Sequence, residues 1–596
     1  MKSVTERLSE LRAAMKKANC DAFIMPTSDP HSSEYAPAHY TTWAYFSGFY
    51  CENANLVVTT DDAAMWVDGR FFGAADTALE GTGIQSMHMG VKGVPEVNDW
   101  VAEHMGEGKV LGYCAEVMPV AQFRALDEAC AAKGAKMADL PNVIDEAWGA
   151  DRPALPTSEA WLMDVAHAGR TVEQKLTALR EKLAEHKCTA MLVTKLDSVA
   201  WLLNLRAADV EDTPYALAFC YVDEKKAVLF IDDSRVPADV KAELEKANVE
   251  FRGYMDMAAY LEESKAEQTV LIDSRSLNAS LYQALNANSQ YTLVDAADPI
   301  LMMKAVKNET EIACLKEAHL KDGVAMVRFQ MELERRIANH EVLRETDIDT
   351  ILHKYRSSTE GFLTESFPTI AAWGPNAAMM HYAPQVGSDA AIEGNGFLLV
   401  DSGATYHKGT TDITRTFPVG EITEEQKLAY TRVLRCHIDA GMAVWLEGET
   451  GGELDVLARE PLWRYLLNYR CGTGHGVAHV GAVHEGPHQL RPHNSIVFEP
   501  GMIVTDEPGI YEEGVVGVRI ETELLVVEAG ESEYGKFLRF EPVMFAPVAT
   551  SCVLVDDLSK EEREWINNYH AQVVEKLSPM LDETEKAWLV EKCKAI

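Results

Sequence analysis

An internal repeat constrains the fold of this chain more than any other feature of its sequence. Residues 4–27 read VTERLSELRAAMKKANCDAFIMPT, and residues 172–195 read VEQKLTALREKLAEHKCTAMLVTK. Each copy joins an amphipathic helix of period 3.6 to a short apolar strand. The repeat predicts two related α/β domains in tandem, with chance similarity of two amphipathic helices as the alternative. At an offset of 168 residues, the matching pairs include Leu8 and Leu176, Leu11 and Leu179, Arg12 and Arg180, Cys20 and Cys188, and Ala22 and Ala190.

Composition shifts divide the chain further. The stretch ADRPALPTS at 150–158 has the proline content of a linker, and the stretch that begins ADPILMM at 297 leads into a long helix capped by Asn308 and Glu311. We therefore predict domains at 1–155, 156–303 and 304–596. The third domain is predicted to contain a helix from Thr423 to Gly448 and the strands Phe397–Val400, Asp412–Val419, Met502–Asp506 and Val518–Val527.

Charge and cysteine usage exclude several classes of protein. The net charge of −38 argues against nucleic-acid or anionic-membrane partners, which need a basic surface. The chain shows neither an apolar run long enough to span a membrane nor the apolar core of a signal peptide. The eleven cysteines form no CxxC pair. We expect a protein of the reducing cytoplasm.

Five residues of the third domain carry the main chemical signal. Four are carboxylates that lie at strand ends or beside glycine turns, and one is a histidine between glycines: Asp401, Asp412, Glu507, Glu521 and His475. Each carboxylate alone is better explained as a turn residue. Together they suit two divalent cations bridged by carboxylates and a water, and the oxygen-rich set with one imidazole favours Mn²⁺ over a cysteine-type zinc site.

Two further histidines flank this set. His381 lies in MMHYAP and His484 lies in VHEGP, where each could shuttle a proton or donate to an oxyanion. A structural role is the alternative for both. His475 and His479 also form an HxxxH pair, but a zincin needs HExxH on a helix, and residue 476 is glycine.

The order DSG, TTDITRT, GTGHG, VHEGP, DEPG and RIE resembles the pita-bread metallopeptidases, which include methionine aminopeptidase and prolidase. HSSEY, WVDGRFF, NLRAADV and WINNYH extend the resemblance to the long, three-domain Xaa-Pro aminopeptidases of the cytosolic type. The resemblance implies two tandem creatinase-N-like α/β domains followed by a pita-bread catalytic domain of α+β type. It also implies a homodimer whose substrates are peptides with proline in the second position.

The resemblance assigns a role to each site residue. It implies metal ligands at Asp401, Asp412, His475, Glu507 and Glu521, with Mn²⁺ as the expected ion and Zn²⁺ or Co²⁺ as alternatives. A hydroxide that bridges two ions would be the nucleophile, and Glu507 would move its proton. The remaining implied contacts to substrate are His381, His484, Tyr511 and Arg519.

The chain departs from the family pattern at three places. Cys471 stands where the family usually has histidine, and Ala478 replaces a usual glycine. YCENAN at 50–55 replaces a glycine- and serine-rich stretch. Cys471 puts the positioning of substrate in doubt and places an oxidisable thiol near the metals.

Two rival functions remain at this point. A prolidase would use the same chemistry on Xaa-Pro dipeptides, although prolidases usually have a single N-terminal domain. A binding module that has lost catalysis would keep the fold, but such relatives lack the metal ligands, and all five are present here.

Overall fold

The computed structural model describes residues 2–596, which form two compact units. The first unit comprises the chain up to Leu162 with Arg170–Glu211 and Tyr215–Ile300, and the second comprises Met163–Gly169, Asp212–Pro214 and Leu301–Ile596. Among the described residues, no helix is both long and apolar enough to cross a lipid bilayer. The domain limits proposed from the sequence stay a prediction.

The first half of the first unit is built on a six-stranded sheet of order β4-β3-β2-β1-β5-β6. The β1–β2 and β2–β3 pairs are antiparallel, and the other pairs are parallel. Its strands are β1 (Ala22–Pro26), β2 (Ala54–Thr59), β3 (Ala63–Val67), β4 (Gln85–His88), β5 (Val110–Tyr113) and β6 (Lys136–Asp139). Its helices are α1 (Val4–Lys17), α2 (Thr42–Ser47), α3 (Phe72–Leu79), α4 (Val97–His104), α5 (Val120–Ala131) and α6 (Pro141–Trp148).

The second half follows strand β7 (Trp161–Leu162) and helix α7 (Val165–Ala168), which belongs to the second unit. Its sheet has the order β12-β11-β10-β8-β13-β14. The strands of this sheet are β8 (Ala190–Val193), β10 (Phe219–Asp223), β11 (Ala227–Phe230), β12 (Val249–Arg252), β13 (Gln268–Ile272) and β14 (Tyr291–Asp295). The short strand β9 (Leu205–Arg206) pairs with β7 instead. Its helices are α8 (Val172–Glu185), α9 (Leu196–Leu202), α10 (Ala238–Lys246), α11 (Met257–Glu263) and α12 (Ala279–Ala287), and α13 (Pro299–Ala305) comes next.

The two halves share one topology and one register. The β8–β10 and β10–β11 pairs are antiparallel and the others parallel, as in the first sheet. A capping box starts the first helix of each half, with Ser3 and Thr171 as the N-caps. The matching first residues lie 168 positions apart, at Val4 and Val172 for the helices and at Ala22 and Ala190 for the central strands.

The second unit combines antiparallel sheets with long helices. Its sheets have the orders β15-β18-β19, β16-β17-β20, β21-β28-β27-β24-β22-β23 and β25-β26. Its helices are α14 (Glu309–Ala338), α15 (Glu345–Ser357), α16 (Glu424–Gly441), α17 (Gly451–Trp463), α18 (Lys560–Leu577) and α19 (Glu583–Lys592). Its strands are β15 (Phe362–Glu365), β16 (Ile370–Trp373), β17 (Gly396–Ser402), β18 (Ala404–Tyr406), β19 (Gly409–Thr410), β20 (Ile413–Val419), β21 (Val444–Leu446), β22 (Gly474–Gly476), β23 (Glu485–Leu490), β24 (Ile503–Asp506), β25 (Gly509–Glu512), β26 (Val516–Arg519), β27 (Thr522–Ser532) and β28 (Gly535–Pro542).

The predicted capping boxes at Asn308 and Thr423 are confirmed as the starts of α14 and α16. The predicted end of α16 at Gly448 is wrong, because the helix ends at Gly441 and the chain pairs as β21 with β28. Residues 444–446 alternate between exposed and buried, which is the period of a strand rather than a helix.

The predicted single strand Val518–Val527 is also wrong. The chain pairs with β25 up to Arg519 and with β24 from Thr522 onward. Glu521 lies at the break, where its backbone N–H donates to Thr414 O at 3.1 Å. The change of partner strand therefore lies at one of the predicted metal ligands.

Candidate metal centre

Adjacent antiparallel strands bring the first two carboxylates together. Asp401 lies in β17 opposite Thr414 of β20, and Asp412 directly precedes β20. The chain between them folds as the β18–β19 hairpin, and Gly409 begins β19. A Cβ on Gly409 would lie 2.9 Å from Leu315 Cδ2, so close packing against α14 favours glycine here.

Glycines also let three strands converge at His475. A Cβ on Gly474 would lie 1.8 Å from Thr505 O, and one on Gly476 would lie 2.2 Å from Glu485 O. His475 therefore sits at the point where β22 meets β23 and β24, and Glu507 directly follows β24. Glycine on both sides of His475 therefore permits this close approach of the backbones.

Ligand atoms of Asp412, His475 and Glu521 all lie within 4.8 Å of one another. His475 Nε2 lies 3.5 Å from Asp412 Oδ2 and 3.5 Å from Glu507 Oε1. Asp401 Oδ2 lies 2.5 Å from Arg519 Nη2, and Arg519 Nε lies 4.0 Å from Glu507 Oε2. The structure thus groups Asp412, His475 and Glu521, with Glu507 beside His475 and Asp401 held by Arg519.

The electrostatics of this cluster favour a bound cation. Burial raises the pKa of Glu521 well above its usual range, and Asp412, Asp401 and Glu507 add to the effect. Burial likewise raises the pKa of Asp401, against the lowering effect of Arg519. Burial opposes protonation of His475, yet its hydrogen bond to Asp412 and the charge of Glu507 raise its pKa to about 9.

Three buried carboxylate oxygens of the cluster have no hydrogen-bond partner among residues 2–596, namely Asp401 Oδ1, Asp412 Oδ1 and Glu521 Oε1. Buried polar atoms are normally paired, because an unpaired one costs about 1–3 kcal/mol. Divalent cations would satisfy these oxygens and offset the repulsion between the carboxylates. The residues present therefore fit a metal centre of oxygen ligands and one imidazole.

Neighbouring groups orient the ligands. His475 Nδ1 donates to Gly476 O at 2.9 Å, which turns Nε2 toward the carboxylates. Thr414 Oγ1 donates to Glu521 Oε2 at 2.7 Å. The backbone N–H of Asp412 donates to Glu523 Oε1 at 2.7 Å, and the same oxygen lies 2.8 Å from His319 Nε2.

The other sequence-predicted residues lie at different distances from this cluster. The His484 ring packs edge-on to the His475 ring, with centroids 4.2 Å apart. Tyr511 Oη accepts from Arg519 Nη1 at 2.8 Å, and the same guanidinium pairs with Asp401. His381 lies half-buried in the loop that precedes β17.

Comparison with known proteins agrees with this geometry. A model of metallopeptidase family M24 matches residues 313–528, and a model of its C-terminal region matches residues 536–596. Models of the creatinase/prolidase N-terminal domain match residues 7–147 and 151–311. "Aminopeptidase P2" of Arabidopsis thaliana is 36% identical over 98% of this chain and 88% of its own length. This chain belongs to metallopeptidase family M24.

Other relatives extend the similarity over the whole length. A Laccaria bicolor protein named "Probable Xaa-Pro aminopeptidase P" is 35% identical over 99% of this chain and 93% of its own length. A crystal structure of the X-prolyl aminopeptidase of Caenorhabditis elegans, described as a cytosolic enzyme with a di-nuclear active site, matches with a TM-score of 0.95 and 31% identity. The match covers 100% of both chains.

These findings confirm the predicted family, the metallopeptidase enzyme class and the fold of creatinase-like N-terminal domains followed by a pita-bread domain. The roles of individual site residues stay a prediction. Sequence reasoning missed the residues that support the candidate ligands, which include Thr414, Glu523, His319 and Thr505, whose Oγ1 accepts from His475 N at 3.0 Å. Three of them lie two positions from a predicted ligand, so the period of a strand was the available signal.

Arg415 links the M24 C-terminal region to the centre. Its guanidinium is buried and donates to Glu521 O at 2.5 Å and to Ala546 O at 2.8 Å. It also donates to Pro547 O at 3.0 Å and to Tyr569 Oη at 2.9 Å. All of these acceptors are uncharged main-chain carbonyls or a hydroxyl, so Arg415 fixes the backbone of Glu521 against the C-terminal region.

Cys471 lies half-buried near Glu507. Burial raises the pKa of its thiol to about 12, and the charge of Glu507 contributes. The thiolate is the form that oxidants attack, so burial lowers the reactivity of this thiol, and its oxidation stays a prediction.

Proposed function

We propose that this chain is a metal-dependent aminopeptidase that releases the N-terminal residue from peptides with proline in the second position. The observation that carries the proposal is the buried cluster of Asp412, His475 and Glu521 with Asp401 and Glu507 around it. It occurs in a chain whose full-length relatives are named for that activity.

The proposed cofactor is a pair of divalent ions, Mn²⁺ in the first instance and Zn²⁺ or Co²⁺ as alternatives. Asp401, Asp412, His475, Glu507 and Glu521 would hold them, and the unpartnered oxygens of Asp401, Asp412 and Glu521 support this assignment. When bound, such ions would supply a hydroxide nucleophile at neutral pH and would polarise the scissile carbonyl.

Glu507 is proposed to move the protons of the reaction. Burial raises its pKa to about 7, although the charges of His475 and Arg519 lower it. A carboxylate at this place could accept a proton from the nucleophile and return it to the leaving proline nitrogen. His484 beside His475, together with His381, would donate to the oxyanion.

Proline specificity is proposed to arise from shape. A peptide bond to proline has no N–H, so its recognition cannot depend on a hydrogen bond from that nitrogen. The Tyr511 ring, held by Arg519 Nη1 at 2.8 Å, would pack against the proline ring. Arg519 in turn fixes Asp401, which is suited to accept from the free amino group of the substrate.

We further propose a cytoplasmic homodimer with no nucleic-acid or membrane partner. The end of α17 presents large apolar side chains to solvent, with Trp463 43%, Tyr465 46% and Leu466 97% exposed. Contiguous exposed apolar surface usually marks a protein interface. A second copy of this chain is the proposed partner for this surface.

Hydrolysis of Arg-Pro-Pro tests the activity. Release of arginine that a chelator abolishes and Mn²⁺ restores would establish the proposed reaction. Cleavage of an Xaa-Pro dipeptide without release from the tripeptide would indicate a prolidase instead. Failure on both substrates with metal bound would favour a binding module. Cys471→His would then be the first substitution to test.

A further inference from the structure

A single buried carboxylate holds the loop that carries His381. Glu345, the first residue of α15, is fully buried and accepts four hydrogen bonds. Its Oε1 accepts from Trp373 N at 2.7 Å and from Asn376 Nδ2 at 2.9 Å. Its Oε2 accepts from Tyr382 Oη at 2.8 Å and from Ala390 N at 2.7 Å.

These four donors are spread over the whole loop. Trp373 ends β16 and Asn376 lies in the first turn of the loop, whereas Tyr382 directly follows His381 and Ala390 comes near the end of the loop. All four donors are uncharged. A buried carboxylate is tolerated only when its oxygens are fully hydrogen-bonded, so the loop and Glu345 require each other.

Apart from Tyr382, which packs against a small apolar cluster with Ala377, the middle of this loop has few buried side chains. Every side chain from 378 to 388 is half-buried or exposed, and Val386 is 92% exposed. Polar contacts at Asp389 tie the end of the loop to α15, because Asp389 Oδ2 accepts from Thr346 Oγ1 at 2.6 Å and from Arg344 Nε at 3.1 Å. Among these polar contacts, the bond from Tyr382 is the one next to His381.

We propose that Glu345 is a positioning residue for the reaction, and that it acts by holding Tyr382 and both ends of the loop so that His381 keeps its place. The proposal rests on the proposed function, in which His381 donates to the oxyanion. A donor displaced by about 1 Å can cost on the order of 10²-fold in rate. Release of the loop should therefore lower kcat while the metal ligands, which lie on other strands, stay in place.

Two variants test the proposal. Tyr382→Phe keeps the ring and removes one hydrogen bond, and Glu345→Gln keeps the shape and replaces one acceptor oxygen by a donor. We expect kcat on Arg-Pro-Pro to fall about tenfold and about 10²-fold, respectively, with KM and bound metal unchanged. Hydrogen exchange in 374–390 should become faster in both variants. Val386→Ala, in the same loop, is the matched control and should behave as wild type.

A double-mutant cycle with His381→Ala shows whether Glu345 acts through His381. In that background Glu345→Gln should cause no further loss of kcat. An equal loss in both backgrounds, or wild-type kcat in His381→Ala alone, would overturn the proposal. If Glu345→Gln does not fold, Tyr382→Phe carries the same cycle.

Hydrogen exchange separates this proposal from the proposed function. If the wild-type protein does not cleave Arg-Pro-Pro, the proposed function fails. Hydrogen exchange tests the loop independently of that result. Unchanged exchange of residues 374–390 in Tyr382→Phe and Glu345→Gln would refute the role of Glu345 in holding the loop. Faster exchange without any change in kcat would show that the loop is held but that the position of His381 does not matter.

Discussion

Replacing Thr414 by valine should weaken metal binding without touching a ligand. Thr414 Oγ1 donates to Glu521 Oε2 at 2.7 Å and accepts from Arg519 Nε at 3.1 Å. Valine has the same shape and can do neither. A hydrogen bond to a charged group is worth about 1.5–3 kcal/mol. Loss of a group that orients a ligand typically weakens metal binding by about 10–100-fold, or about 1.4–2.8 kcal/mol.

Thr416 provides a matched control for this substitution. Thr416 lies two residues further along β20 and is also buried. Its Oγ1 bonds the main chain of Arg519, donating to Arg519 O at 2.8 Å and accepting from Arg519 N at 3.3 Å. Thr416→Val should lower stability and leave metal affinity unchanged.

The assay is calorimetric titration of Mn²⁺ into protein stripped with a chelator. We expect the dissociation constant of Thr414→Val to rise about 10–100-fold and that of Thr416→Val to stay within about twofold of wild type. Equal affinities for wild type and Thr414→Val would refute the reasoning, because they would show that Glu521 either does not bind the metal or does not need this hydrogen bond.

Four other predictions follow from the same contacts. Glu507→Gln should bind metal more weakly and lose nearly all turnover on Arg-Pro-Pro, and wild-type activity would exclude its proposed role. Arg356 and Asp322 form a fully buried ion pair with N···O distances of 2.9 and 3.0 Å. Arg356→Met should lower the free energy of unfolding by about 3–5 kcal/mol in urea titrations, because Asp322 would stay buried without its cation. A loss below about 1 kcal/mol would contradict this prediction. Burial raises the pKa of Asp298 from 3.8 to about 6, so the folded state holds this proton more tightly than the unfolded state does. Its contribution to stability is therefore full below pH 3.8 and lost as the pH rises through 6, a change of about 3 kcal/mol, and the stability difference between wild type and Asp298→Asn should follow that pH course. Finally, Trp463→Glu should convert the proposed dimer to a monomer in light scattering, and an unchanged mass would remove α17 from the interface.

The start of each half of the first unit and two helix starts of the second unit could be predicted because their information is local. The first helix and the first strand of each half follow the hydrophobic period of their own segments. The N-caps of α14 and α16, Asn308 and Thr423, are each recognisable within four consecutive residues. The five candidate ligands could be chosen for a similar reason. Each follows or precedes a recognisable strand or glycine turn.

The remaining details depend on residues far apart in the sequence. Helix α16 ends at Gly441 because β28, about a hundred residues later, pairs with Val444–Leu446. His319 reaches Glu523 from a helix more than two hundred positions earlier. No local pattern contains such a partner, so the sequence indicated the candidate ligands and gave no sign of the residues that contact them.

The bond from Arg415 to Tyr569 has a consequence for how the molecule is made. The two residues are 154 positions apart, which a ribosome takes about 8–30 s to translate at ordinary speeds. Until then Arg415, which donates to Glu521 O, lacks the acceptors at Ala546, Pro547 and Tyr569. The metal centre should therefore mature only near the end of synthesis, and a nascent chain stalled before α18 should be inactive even though every proposed ligand has already been translated.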